Sequence, residues 1–179
     1  EFAVPYSKLH LAWRLPCSAH PDTPALSALS SILGGGRSAR FYEKFHDRLG
    51  LVYSIEVHSN QSETDEGAFT ISMDVDRAQR DKVRDMVLQE LRNLAEEDFT
   101  EDLKRVCKQT RVSRLRRRSS ASGVASEMGA DWFGSRNLNL SSEWQEAIER
   151  VTTEDLHRVC STWLSSPNVT EVSLDPPGS

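Results

Sequence analysis

With 179 residues, 37% of them hydrophobic and 27% charged, the chain is long enough to bury one sizeable core and has the make-up of an ordinary soluble globular domain. Its net charge of −5 argues against a general nucleic-acid binder, and no apolar run approaches the roughly 20 residues that cross a bilayer. Cys17, Cys107 and Cys160 are odd in number, far apart and without a Cys-x-x-Cys pair, which points to free structural thiols rather than a disulfide framework or a metal cage.

The opening Glu1-Phe2-Ala3-Val4 has neither a methionine nor a charged-then-apolar leader, so a piece of a longer protein is expected, and its compartment is not encoded. One domain over 1–175 with a tail at 176–179 is the expected organisation. Leu9 to Leu15 alternates in part and predicts a strand with Leu9, Leu11, Trp13 and Leu15 on one face. After a polar turn, Thr23-Pro24 reads as a helix entry, and Ala25 to Leu33 as a small-residue helix able to lie close to a sheet. Gly34 to Gly36 ends it. Ser38 to Leu49 predicts a second short helix closed by Gly50. Leu51 to Ser59 predicts a strand with Leu51, Tyr53, Ile55 and Val57 on one face. Beyond a polar turn at Asn60 to Gly67, Phe69 to Val75 alternates apolar and polar, which makes the pair an antiparallel hairpin with one wet face.

From Arg77 the period lengthens: Val83, Met86, Val87, Leu91 and Leu94 mark an amphipathic helix to about Glu97. Thr100 is expected to cap the next helix, with Leu103, Val106, Cys107, Thr110 and Leu115 inward. Gly123, Gly129 and Gly134 predict a broken helix from about Ser119 to Phe133. Ser141 or Ser142, then Thr152 or Thr153, are expected to cap two further helices, the second carrying Leu156, Val159, Cys160, Trp163 and Leu164. Pro167-Asn168 turns the chain into a last strand, Val169 to Leu174. Thr-Glu-Asp-Leu-Lys-Arg-Val-Cys at 100–107 returns as Thr-Glu-Asp-Leu-His-Arg-Val-Cys at 153–160, but two copies with different flanks read as two helices using the same capping solution, not as a repeat.

Five histidines stand at 10, 20, 46, 58 and 157, and none falls in His-x-x-Glu-His or His-Glu-x-x-His, the helical spacings that set two imidazoles on one zinc. No zinc site is therefore expected from this chain. The glycines at 34–36 lack a following phosphate-loop lysine and read as a joint between helices. No Gly-x-Ser-x-Gly elbow supports a serine nucleophile. Arg111, Arg114, Arg116, Arg117 and Arg118 form the one basic run, read first as a solvated face and second as a docking surface.

Leu33-Gly-Gly-Gly-Arg-Ser-Ala-Arg, then Gly50-Leu-Val-Tyr53-Ser54, then Ile148-Glu-Arg-Val-Thr-Thr-Glu-Asp-Leu156 with Trp163-Leu164 beyond it, follow one another in a telling order. Together they resemble the second, non-metal half-domain of the insulinase/pitrilysin-type zinc peptidases, similar to mitochondrial processing peptidase-like proteins, over nearly the whole chain. The resemblance implies an α+β fold, an α/β roll of the LuxS/mitochondrial processing peptidase-like metallohydrolase type, with a mixed, largely antiparallel sheet and helices on one face. It implies that a zinc-bearing half-domain or subunit closes with this one around an extended peptide substrate, in one chain or as a homo- or heterodimer. Zinc would then reside in the partner half, with no cofactor and no catalytic residue here. Trp13, Trp132, Phe133, Trp144 and Trp163 read as core or as contacts between half-domains rather than as a stacking platform.

Tyr53 falls on the tyrosine with which such half-domains reach substrate, and its phenol is expected to donate a hydrogen bond to a developing oxyanion. The arginine that normally stands seven residues earlier is here His46, shorter and not permanently charged. Tyr53 and His46 are thus the expected substrate-binding residues, and Arg48 sits out of register. That departure keeps an alternative open, a degenerate, non-catalytic scaffold resembling the core subunits of the respiratory cytochrome bc complex.

Overall fold

The computed structural model describes residues 4–61, 65–164 and 169–176. The strands β1 (Ser7–Leu15), β2 (Val52–Asn60), β3 (Gly67–Val75) and β4 (Thr170–Leu174) form one sheet in the order β2-β3-β1-β4, and every pairing among them is antiparallel. Alternation decides which side each residue takes. Leu9, Leu11, Trp13 and Leu15 of β1 share a face with Phe69, Ile71, Met73 and Val75 of β3, and none of the eight is more than 2% exposed.

Helices cover that apolar face, and the other face stays open. The helix α1 (Thr23–Gly34), entered through Pro24, buries Leu26, Leu29, Ile32 and Leu33. It lies so close to β2 that a Cβ on Gly34 would come within 2.6 Å of the Val57 backbone nitrogen. The helix α2 (Arg80–Asn93), extended by a tight turn over Leu94–Glu96, buries Val83, Val87 and Leu91 as its period requires. Then come α3 (Thr100–Arg117), α4 (Ala121–Ser135), α5 (Leu140–Glu149) and α6 (Thr153–Val159), the last continuing into a wider turn over Cys160–Leu164. One continuous core joins residues from β1 through Leu164.

Several expectations are corrected. The segment 38–49 is wound as a π-helix over Tyr42–Arg48, in which Leu49 N–H reaches back to Lys44 O at 3.1 Å, so its side chains are not spaced as in an α-helix. Tyr53 does not share a face with Ile55 and Val57. Val52 pairs with Val75 but Ser54 with Asp74, so Tyr53 is the extra residue of a β-bulge, and Val52 takes the buried place instead. Thr100 does not cap α3; Asp98 does the work, accepting from Thr100 N–H at 2.9 Å and from its hydroxyl at 2.7 Å. Neither Ser141 nor Ser142 caps α5, which begins after Asn139. Thr152 does cap α6, in a reciprocal box with Asp155.

Leu115 faces outward rather than toward the core. The glycines do not break α4, which runs unbroken from Ala121 to Ser135 behind a Ser120 cap. The Pro167-Asn168 turn and all of the expected tail but Pro176 lie outside the described residues, as does the centre of the turn between β2 and β3.

Candidate functional site

The open face of the sheet is ruled into rows by its register. Val172, His10, Ser72 and Glu56 face one another across four strands, and beside them run Leu174, Lys8, Asp74 and Ser54. Over β1, β2 and β3 the rows are polar and tied internally, each ending on an exposed apolar residue of β4: Ser72 Oγ lies 2.8 Å from His10 Nδ1, and Lys8 Nζ donates to Asp74 at 2.8 Å. Such a surface is wet, shallow and of mixed charge.

Tyr53 stands at the rim of this face, where the bulge turns it out of the core row. It is 48% exposed. Its ring stacks on Tyr6, with centroids 3.9 Å apart, and its hydroxyl donates to Asp76 Oδ1 at 3.0 Å. That hydrogen bond to a carboxylate, with a little desolvation, holds the phenol above its ordinary pKa. Tyr53 is thus a protonated, oriented phenol on an edge strand.

His46 lies in the π-helical turn that precedes β2. Phe45 beside it is fully buried and Lys44 is paired with Glu90 of α2, so the turn is anchored on two sides. Gly50, at φ +59°, lets the chain reverse into β2; a side chain there would be strained. The imidazole stacks on Tyr42 at 4.4 Å and its Nδ1 lies 2.7 Å from Asp47 Oδ1. Tyr53 and His46 therefore have separate sets of partners. Arg48 is paired with Glu43 of its own turn.

The remaining histidines are equally dispersed: His20 sits against Trp163, His58 beside Glu56, and His157 on the carbonyl of Glu97. Among the described residues no cluster of three or more His, Cys, Asp or Glu is placed to hold a metal. Burial pushes the Cys160 thiol up to about 12 and raises Cys107 as well, which leaves both as packing groups rather than nucleophiles.

Residues 3–110, more than half of the chain, match the model of the peptidase M16 inactive domain. The chain belongs to this family. A curated relative from Rickettsia felis, described as an uncharacterized zinc protease, is 23% identical over 138 residues, which are 77% of this chain and 33% of that protein. The fold matches a protease from Helicobacter pylori with a TM-score of 0.85 at 24% identity, over 97% of this chain and 42% of that one. It also matches a structure of the peptidase M16 inactive domain from Pseudomonas fluorescens, with a TM-score of 0.81 at 19% identity, over 99% and 42%. The chain therefore spans a third to two-fifths of the length of these relatives. The inactive-domain fold, α+β with helices packed on an antiparallel sheet, is the one expected from residues 33–54 and 148–164.

Sequence reasoning missed Asp76 and Tyr6. Neither belongs to a motif; they meet Tyr53 only because β3 ends beside the bulge and β1 begins there.

Proposed function

We propose that this chain is the non-metal wall of a two-half zinc peptidase. The open sheet face with Tyr53 at its rim lies against an extended peptide, opposite a zinc held by the other half. The zinc supplies Lewis-acid activation of water there, and this chain supplies binding and orientation. The observation that carries the reading is the bulge at Tyr53, which takes one aromatic residue out of the core and fixes its phenol in the open.

Tyr53 has a specific task in this scheme. In the free wall its proton is directed at Asp76, so only its lone pairs face outward. An arriving peptide N–H finds an acceptor, whereas a developing oxyanion draws the proton away from Asp76 and finds a donor. Such a donor strengthens as charge develops, which is what lowers a barrier. His46 contacts the substrate on the other side of the Gly50 reversal.

The test uses the protein that carries both halves. Chelator-sensitive peptide cleavage is expected, and Tyr53→Phe is expected to lower kcat about 100-fold with little change in KM. Cleavage unaffected by Tyr53→Phe would remove Tyr53 from the site.

A second reading, a scaffold without catalysis, is favoured by His46, whose ring is already engaged by Tyr42 and Asp47 where the resemblance implies an arginine. It requires that the two-half protein cleave nothing while still assembling.

A further inference from the structure

The helix α4 is inverted with respect to its own domain. An amphipathic helix ordinarily buries apolar residues and shows polar ones. Here the one buried residue of α4 is Asp131, whose carboxylate accepts from Ser141 Oγ at 2.6 Å and from Ser141 N–H at 3.1 Å. One turn earlier Glu127, also shielded, accepts from Arg114 at 2.9 Å and from Arg118 at 2.7 Å. These charge-assisted bonds hold α4 against α3 and α5. Its apolar side chains are left over: Met128 and Trp132 lie one above the other, Trp132 is 45% exposed and Phe133 is 82% exposed. Leu138 and Leu140 continue the patch. A Cβ on Gly129, one turn before Phe133, would meet nothing within 4 Å, so the ridge has an open notch beside its tallest residue.

The rim is basic. The Arg136 guanidinium lies 5.4 Å from the Trp132 ring centroid. Arg116 and Arg117 are exposed at the end of α3, and Arg117 borders a cleft of about 460 Å³ that runs along α4 past Ser126 and Ala130. Polar anchoring inward and an aromatic ridge outward are what a helix shows when its apolar partner belongs to another body.

We propose that the outer face of α4, centred on Trp132 and Phe133, is the surface on which the zinc-bearing half docks, through an apolar patch edged by carboxylates. The proposal rests on the two-half reading above, and the solved Helicobacter pylori relative, of which this chain covers 42%, contains further chain of the length that such a half requires. The carboxylate edge answers Arg116, Arg117 and Arg136.

Hydroxyl-radical footprinting of the two-half protein tests it, with mass measurement and the chelator-sensitive peptidase assay alongside. Phe133 and Trp132 are expected to be oxidised at least tenfold more slowly than their exposure in this domain predicts. Gly129→Glu, which enters open space and leaves the domain's own packing intact, is expected to restore their oxidation. Phe133→Glu should separate the halves, whereas Arg92→Glu on α2 should not. Rapid oxidation of both residues in the wild-type two-half protein overturns the proposal. So does protection that accompanies a species of two copies of this chain, since the occupant would then be a second copy. Loss of chelator-sensitive cleavage in the wild type, with Phe133 protected, overturns the peptidase reading but leaves the surface standing.

Discussion

Asp22 shows how one side chain can hold distant parts of this domain together. It is 4% exposed, and its carboxylate accepts from Arg158 of α6 and, at 2.9 Å, from Trp163 Nε1–H. Burial alone would raise its pKa, but the bonds from Arg158 and Trp163 outweigh that and hold it below its ordinary value of 3.8. The folded form thus gives up its proton more readily than the unfolded chain does. Its stabilising contribution is present above about pH 4 and is lost as pH falls through the lowered folded value. Asp22→Asn is expected to cost about 2 kcal/mol at neutral pH in denaturant unfolding and to flatten the acid limb of the stability profile. An acid limb of unchanged slope would mean that another carboxylate governs it. Position 46 is the other residue that separates readings. His46→Arg in the two-half protein is expected to raise kcat/KM about tenfold, because a charged fork replaces a ring committed to its own turn. An unchanged kcat/KM would place position 46 away from the substrate.

At the scale of elements, what was legible in the sequence is what local chemistry decides alone. The alternation from Phe69 to Val75 needs no partner to choose a face, and the Thr152–Asp155 box is complete within four residues. The bulge at Tyr53 was not legible, because it exists only as a mismatch of count between two strands, 52 to 54 against 75 to 74. Nor was the continuity of α4. Glycine lowers helix propensity by about 1 kcal/mol, but Glu127 and Asp131 bind α4 to α3 and α5 through groups that periodicity treats as solvent-facing. Gly34 shows close packing at the same scale. Gly34→Ala is expected to destabilise by about 2 kcal/mol, since its methyl would press on Val57 and force α1 off β2. Urea unfolding measures this, and an unchanged midpoint would mean that the α1–β2 seam yields without strain.

For the molecule as a whole, the helices back one face of the sheet and leave the other free, so the domain has a rear that is finished and a front that is not. Two surfaces look outward from it, the sheet with Tyr53 and the ridge of α4. In the scheme proposed here, the first meets a peptide and the second meets the body that delivers the metal.

The pairing of β4 carries a consequence of another kind. Its five residues are all exposed, β1 is its one strand partner, and Ser7 donates to Asp175 across 168 positions of sequence. A strand added from the far end of the chain can take its place only after the rest has been synthesised and collapsed, because so long a loop closes late. Amide exchange at 170–174 should therefore be the fastest of the four strands, and a ribosome-stalled chain lacking that stretch should hold the β2–β3 hairpin while leaving one edge of β1 bare to whatever chaperone is nearest.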